Sequence, residues 1–264
     1  MSTACVPADT SFTTCDLPEL TREDLSNLFD GSAAASRVPR FLTPADCVAT
    51  TASMGRLPLS IYNPEHVPTR ICRFGPAVND YRCGGRLRYA YWAAADRARV
   101  AWATAGPRPD PVRTALEKVG TAWGSPVGTA SVNGRPLFTG ALREMRQGTL
   151  VHFDDISREL PGLLDQRVVA QLAFNTWVSR PLSGGQTTIW RRHLRPADEV
   201  QRIAYGFHPS VVDGCDSTTY LPRVGDAALF NSARLHAVSP CTGRRISIGF
   251  FLGLTPDGHL IAWS

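Results

Sequence analysis

The rhythm of hydrophobic and polar positions changes about halfway along the chain. In "DPVRTALEKVGTAW", residues 110–123, Val112, Leu116, Val119 and Trp123 recur at three- and four-residue spacing behind Asp110 and Pro111, which predicts a helix with its start signal. A second helix is predicted in "RFLTPADCVATTASM", with Thr43 as N-cap, Pro44 at the first helical position and Asp46 in the first turn. "TREDLSNLF" reads as a short helix followed by a flexible "DGSAAAS", and "PLSIY" and "RICRFG" read as strands. From about residue 136 short strand-like runs alternate with turn residues: "PLFTGALREM", "GTLVHF", "VVAQLAFNTWVS", "QTTIWRR", "RIAYGFHPS", "DAALFNS", "LHAVSP", "RRISIGFFLGL" and "HLIAWS". Turns are marked at Gly184-Gly185, Asp213-Gly214, Gly225-Asp226, Thr242-Gly243 and Asp257-Gly258. This spacing predicts an α+β chain, with a helical, mixed N-terminal part over 1–135 supporting a β-sandwich or barrel over 136–264.

Composition narrows the function classes. With 264 residues, 43% hydrophobic and 19% charged, the chain suits a single large globular domain. No apolar run approaches the roughly 18 residues of a membrane span. The start, "MSTACVPADTSFTTCDLPEL", lacks the basic and apolar regions of a secretory signal, so a cytoplasmic location is expected. Seven cysteines (Cys5, Cys15, Cys47, Cys72, Cys83, Cys215, Cys241) without a CxxC spacing argue against a zinc ribbon or a disulfide framework. A net charge of +5 would permit a nucleic-acid partner. The basic residues are scattered, however, and nearly all arginine, with Lys118 the only lysine; the densest cluster, at 190–199, runs into Asp198 and Glu199. A small-molecule partner is expected instead.

The candidate chemistry starts at "GTLVHFDDIS", residues 148–157. In an extended chain His152 and Asp154 project to the same side, so an imidazole and a carboxylate reach one point. A third ligand is offered downstream by His236 in "FNSARLHAVSPCTGRRISIGFF". The order H-x-D, long spacer, H is that of the two-histidine, one-carboxylate facial triad of non-haem Fe(II) oxygenases, whose open positions admit a bidentate 2-oxo acid and O2. Nine residues beyond His236 stands Arg245, then Ser247 on the same strand face, with Ile246, Ile248 and Phe250 on the other. A guanidinium fork beside a hydroxyl suits the distal carboxylate of 2-oxoglutarate. Arg244 is expected to point away, although a bulge would exchange its role with that of Arg245.

On these residues the C-terminal half resembles the 2-oxoglutarate/Fe(II)-dependent oxygenase superfamily. "ALREMRQGTLVHFDD" is similar to its first metal strand, "PLSGGQTTIW" to its glycine-turned strand and "VGDAALFNSARLHAV" to its second metal strand. The end, "RRISIGFFLGLTPDGHLIAWS", is similar to carrier-independent oxygenases and halogenases of indole-alkaloid pathways. The resemblance implies a double-stranded β-helix (jelly roll) core, Fe(II) held by His152, Asp154 and His236, and 2-oxoglutarate and O2 as co-substrates. Halogenases of that group carry glycine or alanine in place of the carboxylate ligand. Asp154 therefore implies hydroxylation of a free amino acid or natural-product intermediate, with desaturation or ring closure as other outcomes of the same site. The rivals are a peptidyl (prolyl-type) hydroxylase, a non-catalytic binding relative and a zinc hydrolase; in the last, Arg245 and Ser247 would lack a purpose.

Other polar residues receive blander readings. Asp155 is one position out of register and is expected to be a solvated turn residue. His193 and His208 are expected to be solvated or hydrogen-bonded beside loops, and His66 and His259 to lie in surface turns without a role. The Gly184-Gly185 pair lacks a following helix, so a tight turn into a strand is expected rather than a phosphate site. Phe153, Trp177 and Trp190 are each expected in the core. Asn175 and Thr176, mid-strand in an apolar run, need a partner in the ligand or in the neighbouring strand. Arg143 and Arg146 in "ALREMRQG" could contact a substrate carboxylate, but facing the surface is the commoner outcome for arginine and is expected here.

Overall fold

The computed structural model describes residues 12–264. Cys5 and the first eleven residues of the start segment lie outside the described residues. The strands of the two main sheets begin, in chain order, with Thr14–Asp16 (β1), Ala35–Val38 (β2), Ser60–Ile61 (β3), Ile71–Phe74 (β4), Gly128–Thr129 (β5) and Ala141–Met145 (β6). Ala170–Ser179 (β7), Thr187–His193 (β8), Ser217–Tyr220 (β9), Ala227–Asn231 (β10), Arg234–Val238 (β11), Ile246–Leu254 (β12) and Leu260–Trp263 (β13) follow. One ten-stranded sheet has the order β1-β2-β10-β7-β12-β6-β4-β3, with β13 added to β12 and β5 to β13. A second sheet runs β9-β8-β11.

Strand alternation divides the two faces of the large sheet. Leu142, Leu172, Phe174, Leu229, Ile246, Ile248, Phe250 and Leu252 pack in one core with residues of the helices. The other face meets the small sheet: Ala173, Trp177, Ala228 and Phe230 pack against Ile189 of β8 and Tyr220 of β9. The molecule is thus layered as helices, large sheet, small sheet, in a mixed α+β architecture. Across β6, β12 and β7, Arg143 pairs with Ser247 and Asn175 with Gly249, which puts all four on the face turned to the small sheet.

The helices begin where local chemistry satisfies their free N–H groups. Arg22–Asp30 (α1) and Pro44–Ser53 (α2) each carry a capping box, Thr21 with Asp24 and Thr43 with Asp46. Ala90–Ala105 (α3) was not expected. Its buried stripe is Tyr91, Trp92, Ala95 and Ala98, and alanine on both faces leaves little contrast for a periodicity to show. Pro111–Trp123 (α4) is capped by Asp110, whose carboxylate accepts from Val112 N at 2.9 Å, from Arg113 N at 3.3 Å and from Trp102 Nε1 at 2.9 Å. Asp110→Ala removes the cap and orphans the indole of α3. We expect a loss of about 1–3 kcal/mol, read as a melting temperature lower by several degrees.

Two other expectations are corrected. The segment expected to be flexible after α1 becomes β2 from Ala35, since it pairs with β10 and is buried. "GTLVHF" forms no named strand; it contributes isolated bridges, Val151 with Phe207 and His152 with His236. No helix among the described residues is long and apolar enough to cross a membrane.

Candidate active site

The segment 148–154 is laid alongside β11 by its backbone. Gly148 turns at φ 73°, and a Cβ there would stand 2.3 Å from the Val238 carbonyl oxygen, so only glycine fits. Thr149 N donates to Val238 O at 2.9 Å, His152 N to His236 O at 2.9 Å, His236 N to His152 O at 2.8 Å and Asp154 N to Ser232 O at 2.8 Å. The Asp154 carbonyl also accepts from Ser232 Oγ at 2.9 Å and Gln171 Nε2 at 3.1 Å. The bonds from this segment to Ser232, His236 and Val238 span separations from 78 to 89 positions in the chain. His152, Asp154 and His236 offer ligand atoms all within 4.8 Å of one another. Asp154 Oδ2 lies 3.7 Å from His152 Nε2 and 3.4 Å from His236 Nε2.

The imidazoles are set up as donors of a lone pair. His152 Nδ1 lies 2.9 Å from Leu150 O and His236 Nδ1 2.9 Å from Arg234 O. A carbonyl only accepts, so Nδ1 carries the hydrogen in each ring and Nε2 of the neutral ring is free to ligate. Burial, reinforced by the neighbouring His236, pushes His152 down to about 4, which keeps it neutral at pH 7. Burial alone would raise Asp154, but the two imidazoles and Arg143 hold its carboxyl below the usual range. Two imidazole nitrogens, their rings held by backbone carbonyls, and one carboxylate oxygen fit a divalent first-row transition metal.

Arg245 and Ser247 are buried in the same cavity. Arg245 Nε donates to Gly185 O at 3.1 Å and Nη2 to Thr187 Oγ1 at 3.4 Å, and its guanidinium lies 5.8 Å from the Trp177 ring centroid. Burial pulls it down to about 10, so it stays charged at neutral pH. Among the described residues no carboxylate comes within 4.0 Å of it. A buried cation without a counter-ion is a fit for an anionic ligand. Arg244 points out and pairs with exposed-side Glu144 at 2.8 Å. Gly184 lies in a two-residue strand with Ser183, paired with Thr242 and Cys241, and Gly185 at φ 75° presents its carbonyl to Arg245.

The cavity has a volume of about 200 Å³ and lies between the sheets. Asp155 caps the short helix Ile156–Glu159 (α5), accepting from Ser157 N at 3.0 Å, and stays out of the triad. His208 and His259 are exposed and His193 lies at the surface end of β8. Trp177 and Phe153 are buried, Phe153 also lining the cavity, and Trp190 packs at the edge of a small core cluster. Thr176 finds its partner in the neighbouring strand, donating to Asp226 O at 2.9 Å, whereas Asn175 faces the cavity. Arg146 is exposed, as expected.

Arg143 departs from its expected surface position: it lines the cavity, because β6 is an interior strand and Arg143 sits on its face turned to the small sheet. His66 lies in a turn as expected, with its side chain 34% exposed, but also lines the cavity. Tyr62, Tyr205 and Glu159 also line it and went unremarked in the sequence. Tyr205 accepts from Leu150 N at 2.9 Å and packs edge-on to His152. Burial raises Glu159 to about 7, against the pull of Arg82, which lies 3.5 Å away.

Comparison with known proteins agrees with this geometry. The family model of the carrier-protein-independent halogenase WelO5 matches residues 151–264. The L-gamma-glutamyl-L-propargylglycine hydroxylase of Streptantibioticus cattleyicolor is 42% identical over 259 residues, covering 96% of this chain and 97% of that protein. The leucinostatins biosynthesis cluster protein S of Purpureocillium lilacinum is 30% identical over 155 residues, 53% of this chain and 63% of that protein. In fold, the chain is similar to an N-substituted L-amino acid dioxygenase from Burkholderia ambifaria in complex with alpha-KG, with a TM-score of 0.64 at 15% identity, covering 92% and 90% of the two chains. By the near full-length identity and the site together, the chain belongs to the 2-oxoglutarate/Fe(II)-dependent oxygenase superfamily, in the family of the L-gamma-glutamyl-L-propargylglycine hydroxylase.

Proposed function

We propose that the protein is a 2-oxoglutarate- and Fe(II)-dependent dioxygenase that hydroxylates an unactivated C–H bond of a small, amino-acid-derived molecule. The observation that carries this reading is the convergence of His152, Asp154 and His236 in one cavity with the uncompensated Arg245. His152, Asp154 and His236 would hold the iron; Arg245 and Ser247 would hold the distal carboxylate of 2-oxoglutarate. When bound, iron, 2-oxoglutarate and O2 supply the oxidation that turns C–H into C–OH, with one oxygen atom entering the product and the other entering succinate as CO2 leaves.

The chain's own part is positioning. Backbone carbonyls fix the two imidazoles, and burial keeps His152 unprotonated. Asp154 fills the place where the related halogenases carry a small residue, which supports hydroxylation over halogenation. A cavity of about 200 Å³ suits a small molecule better than a protein segment. The substrate named for the 42% identical relative supports an amino acid or its γ-glutamyl conjugate. The two sheets are read as the halves of a double-stranded β-helix, with the whole chain working as one catalytic domain. The six described cysteines are all free thiols, which supports a reducing, cytoplasmic setting.

The reading is tested by anaerobic titration with Fe(II) and then 2-oxoglutarate. A weak visible charge-transfer band should grow to one equivalent of each, as chelation by an iron with open positions requires. A zinc hydrolase or a non-catalytic binder gives no such band.

A further inference from the structure

Two guanidinium groups face the cavity with no carboxylate within 4.0 Å among the described residues: Arg245 and Arg143. The other charged side chains around it are matched. Asp80 is ion-paired with Arg73, Glu159 with Arg82 at 3.5 Å, and Asp154 stands between the two imidazoles. In the reading above Arg245 is matched by 2-oxoglutarate. Arg143 remains one enclosed positive charge for which the described residues supply no anion within 4.0 Å.

Its surroundings are those of a carboxylate cradle. Arg143 Nε donates to Tyr62 Oη at 2.9 Å, a neutral partner, and the Tyr62 ring is itself braced by the Arg73 guanidinium 4.5 Å above it. Neither Nη atom of Arg143 has a hydrogen-bond partner among the described residues. Gly249 makes the room: a Cβ there would stand 2.7 Å from Arg143 Nη1 and 2.9 Å from Asn175 Oδ1. The guanidinium hand and the Asn175 amide therefore lie side by side over a bare stretch of sheet, each with unused donors. We infer that Arg143, steadied by Tyr62 and flanked by Asn175, anchors a carboxylate of the substrate, so that the enzyme selects acids over their amides. This rests on the proposed oxygenase function and names the chemistry its substrate must carry. Arg143 and Asp154 act on each other electrostatically, so a carboxylate held there keeps the carbons next to it close to the triad. A planar fork gives two parallel bonds to a carboxylate, which a lysine cannot reproduce.

The test uses the enzyme with Fe(II) and 2-oxoglutarate under anaerobic conditions. It is titrated with L-amino acids and γ-glutamyl dipeptides, each as free acid and as the fully amidated form, and read by perturbation of the visible band. Acids should perturb the band and amides should not. Arg143→Met should weaken the responding acid roughly tenfold to a hundredfold, the range of a hydrogen bond to a charged group, while the 2-oxoglutarate titration stays within about twofold. Arg143→Lys should recover part of the loss. A wild-type band that responds to no acid, or equally to acid and amide, overturns the inference and leaves the oxygenase reading intact; absence of any band sinks that reading instead. Arg143→Met weakening 2-oxoglutarate and not the acid also overturns it, by making Arg143 a co-substrate residue. Should circular dichroism show that Arg143→Met does not fold, Tyr62→Phe and Asn175→Ala decide: each should weaken the acid several-fold, and unchanged binding in both overturns it.

Discussion

Asp154→Ala should abolish hydroxylation, by at least ~10³-fold or about 4 kcal/mol in the barrier, while leaving the fold in place. Asp154 supplies the only carboxylate of the proposed ligand set, the other two ligand atoms being imidazole nitrogens. A divalent ion held by the two imidazoles alone would share the cavity with Arg143 and Arg245 and lose the one carboxylate of its ligand set, since Asp80 and Glu159 are ion-paired with Arg73 and Arg82. Metal affinity should therefore fall together with activity, which a metal titration separates from a purely kinetic loss. The backbone bonds that place residue 154, from its N–H to Ser232 O and to its carbonyl from Ser232 Oγ and Gln171 Nε2, do not involve the carboxylate and should survive. Chloride gives a second readout. The related halogenases carry a small residue here, so a chlorinated product from Asp154→Ala would show that the carboxylate had occupied the halide's place. Full hydroxylase activity in Asp154→Ala would mean that another acid serves, and Asp155 and Glu159 are the neighbours to examine. Asp155 is already engaged in capping α5, so Asp155→Ala should leave activity nearly unchanged.

The triad was legible because its meaning lies in residue type and order. An H-x-D pair in extended chain and a distant histidine followed by R-x-S carry the chemistry in the letters themselves. The strand expected around His152 turned out to be a pair of bridges, and the ligand geometry survived because period-two alternation needs only extended backbone. Arg143 was misread for a reason the letters do not contain. Which face of β6 is covered depends on β12 and β4 pairing with it and on β8, β9 and β11 folding over that face. Tyr62 and His66 belong to a region with little regular structure, where no periodicity marks an inward side chain. The α3 helix was missed because its buried stripe is half alanine. Local chemistry was readable, then, and pairing between distant strands was not.

Arg245→Met should weaken 2-oxoglutarate by ~10²–10³-fold while leaving the iron site able to load, and Arg244→Met should do neither. The two arginines are adjacent in sequence and opposite in environment. Arg244 lies near the surface, paired with Glu144, an arrangement worth at most about 1 kcal/mol. Arg245 is buried, tied by one N–H to Gly185 O and by another to Thr187 Oγ1, with no carboxylate among the described residues within 4.0 Å. Deleting one member of a buried charge pair costs about 2–5 kcal/mol, because the partner charge is left without its match. In Arg245→Met that stranded group is the co-substrate's distal carboxylate, so the loss falls on 2-oxoglutarate binding. The iron ligands do not touch Arg245, so a metal titration should match wild type. Saturating 2-oxoglutarate should then restore much of kcat, the pattern of a lost binding contact rather than a lost catalytic group. Met fills comparable space beside the Trp177 ring, so packing against the small sheet is retained. The opposite outcome, Arg244→Met raising the 2-oxoglutarate requirement while Arg245→Met leaves it unchanged, would require a bulge that swaps the two side chains. Ile246, Ser247, Ile248 and Gly249 pair in unbroken register with β6, and the irregularity on the other side lies in β7, between Trp177 and Ser179, not in β12.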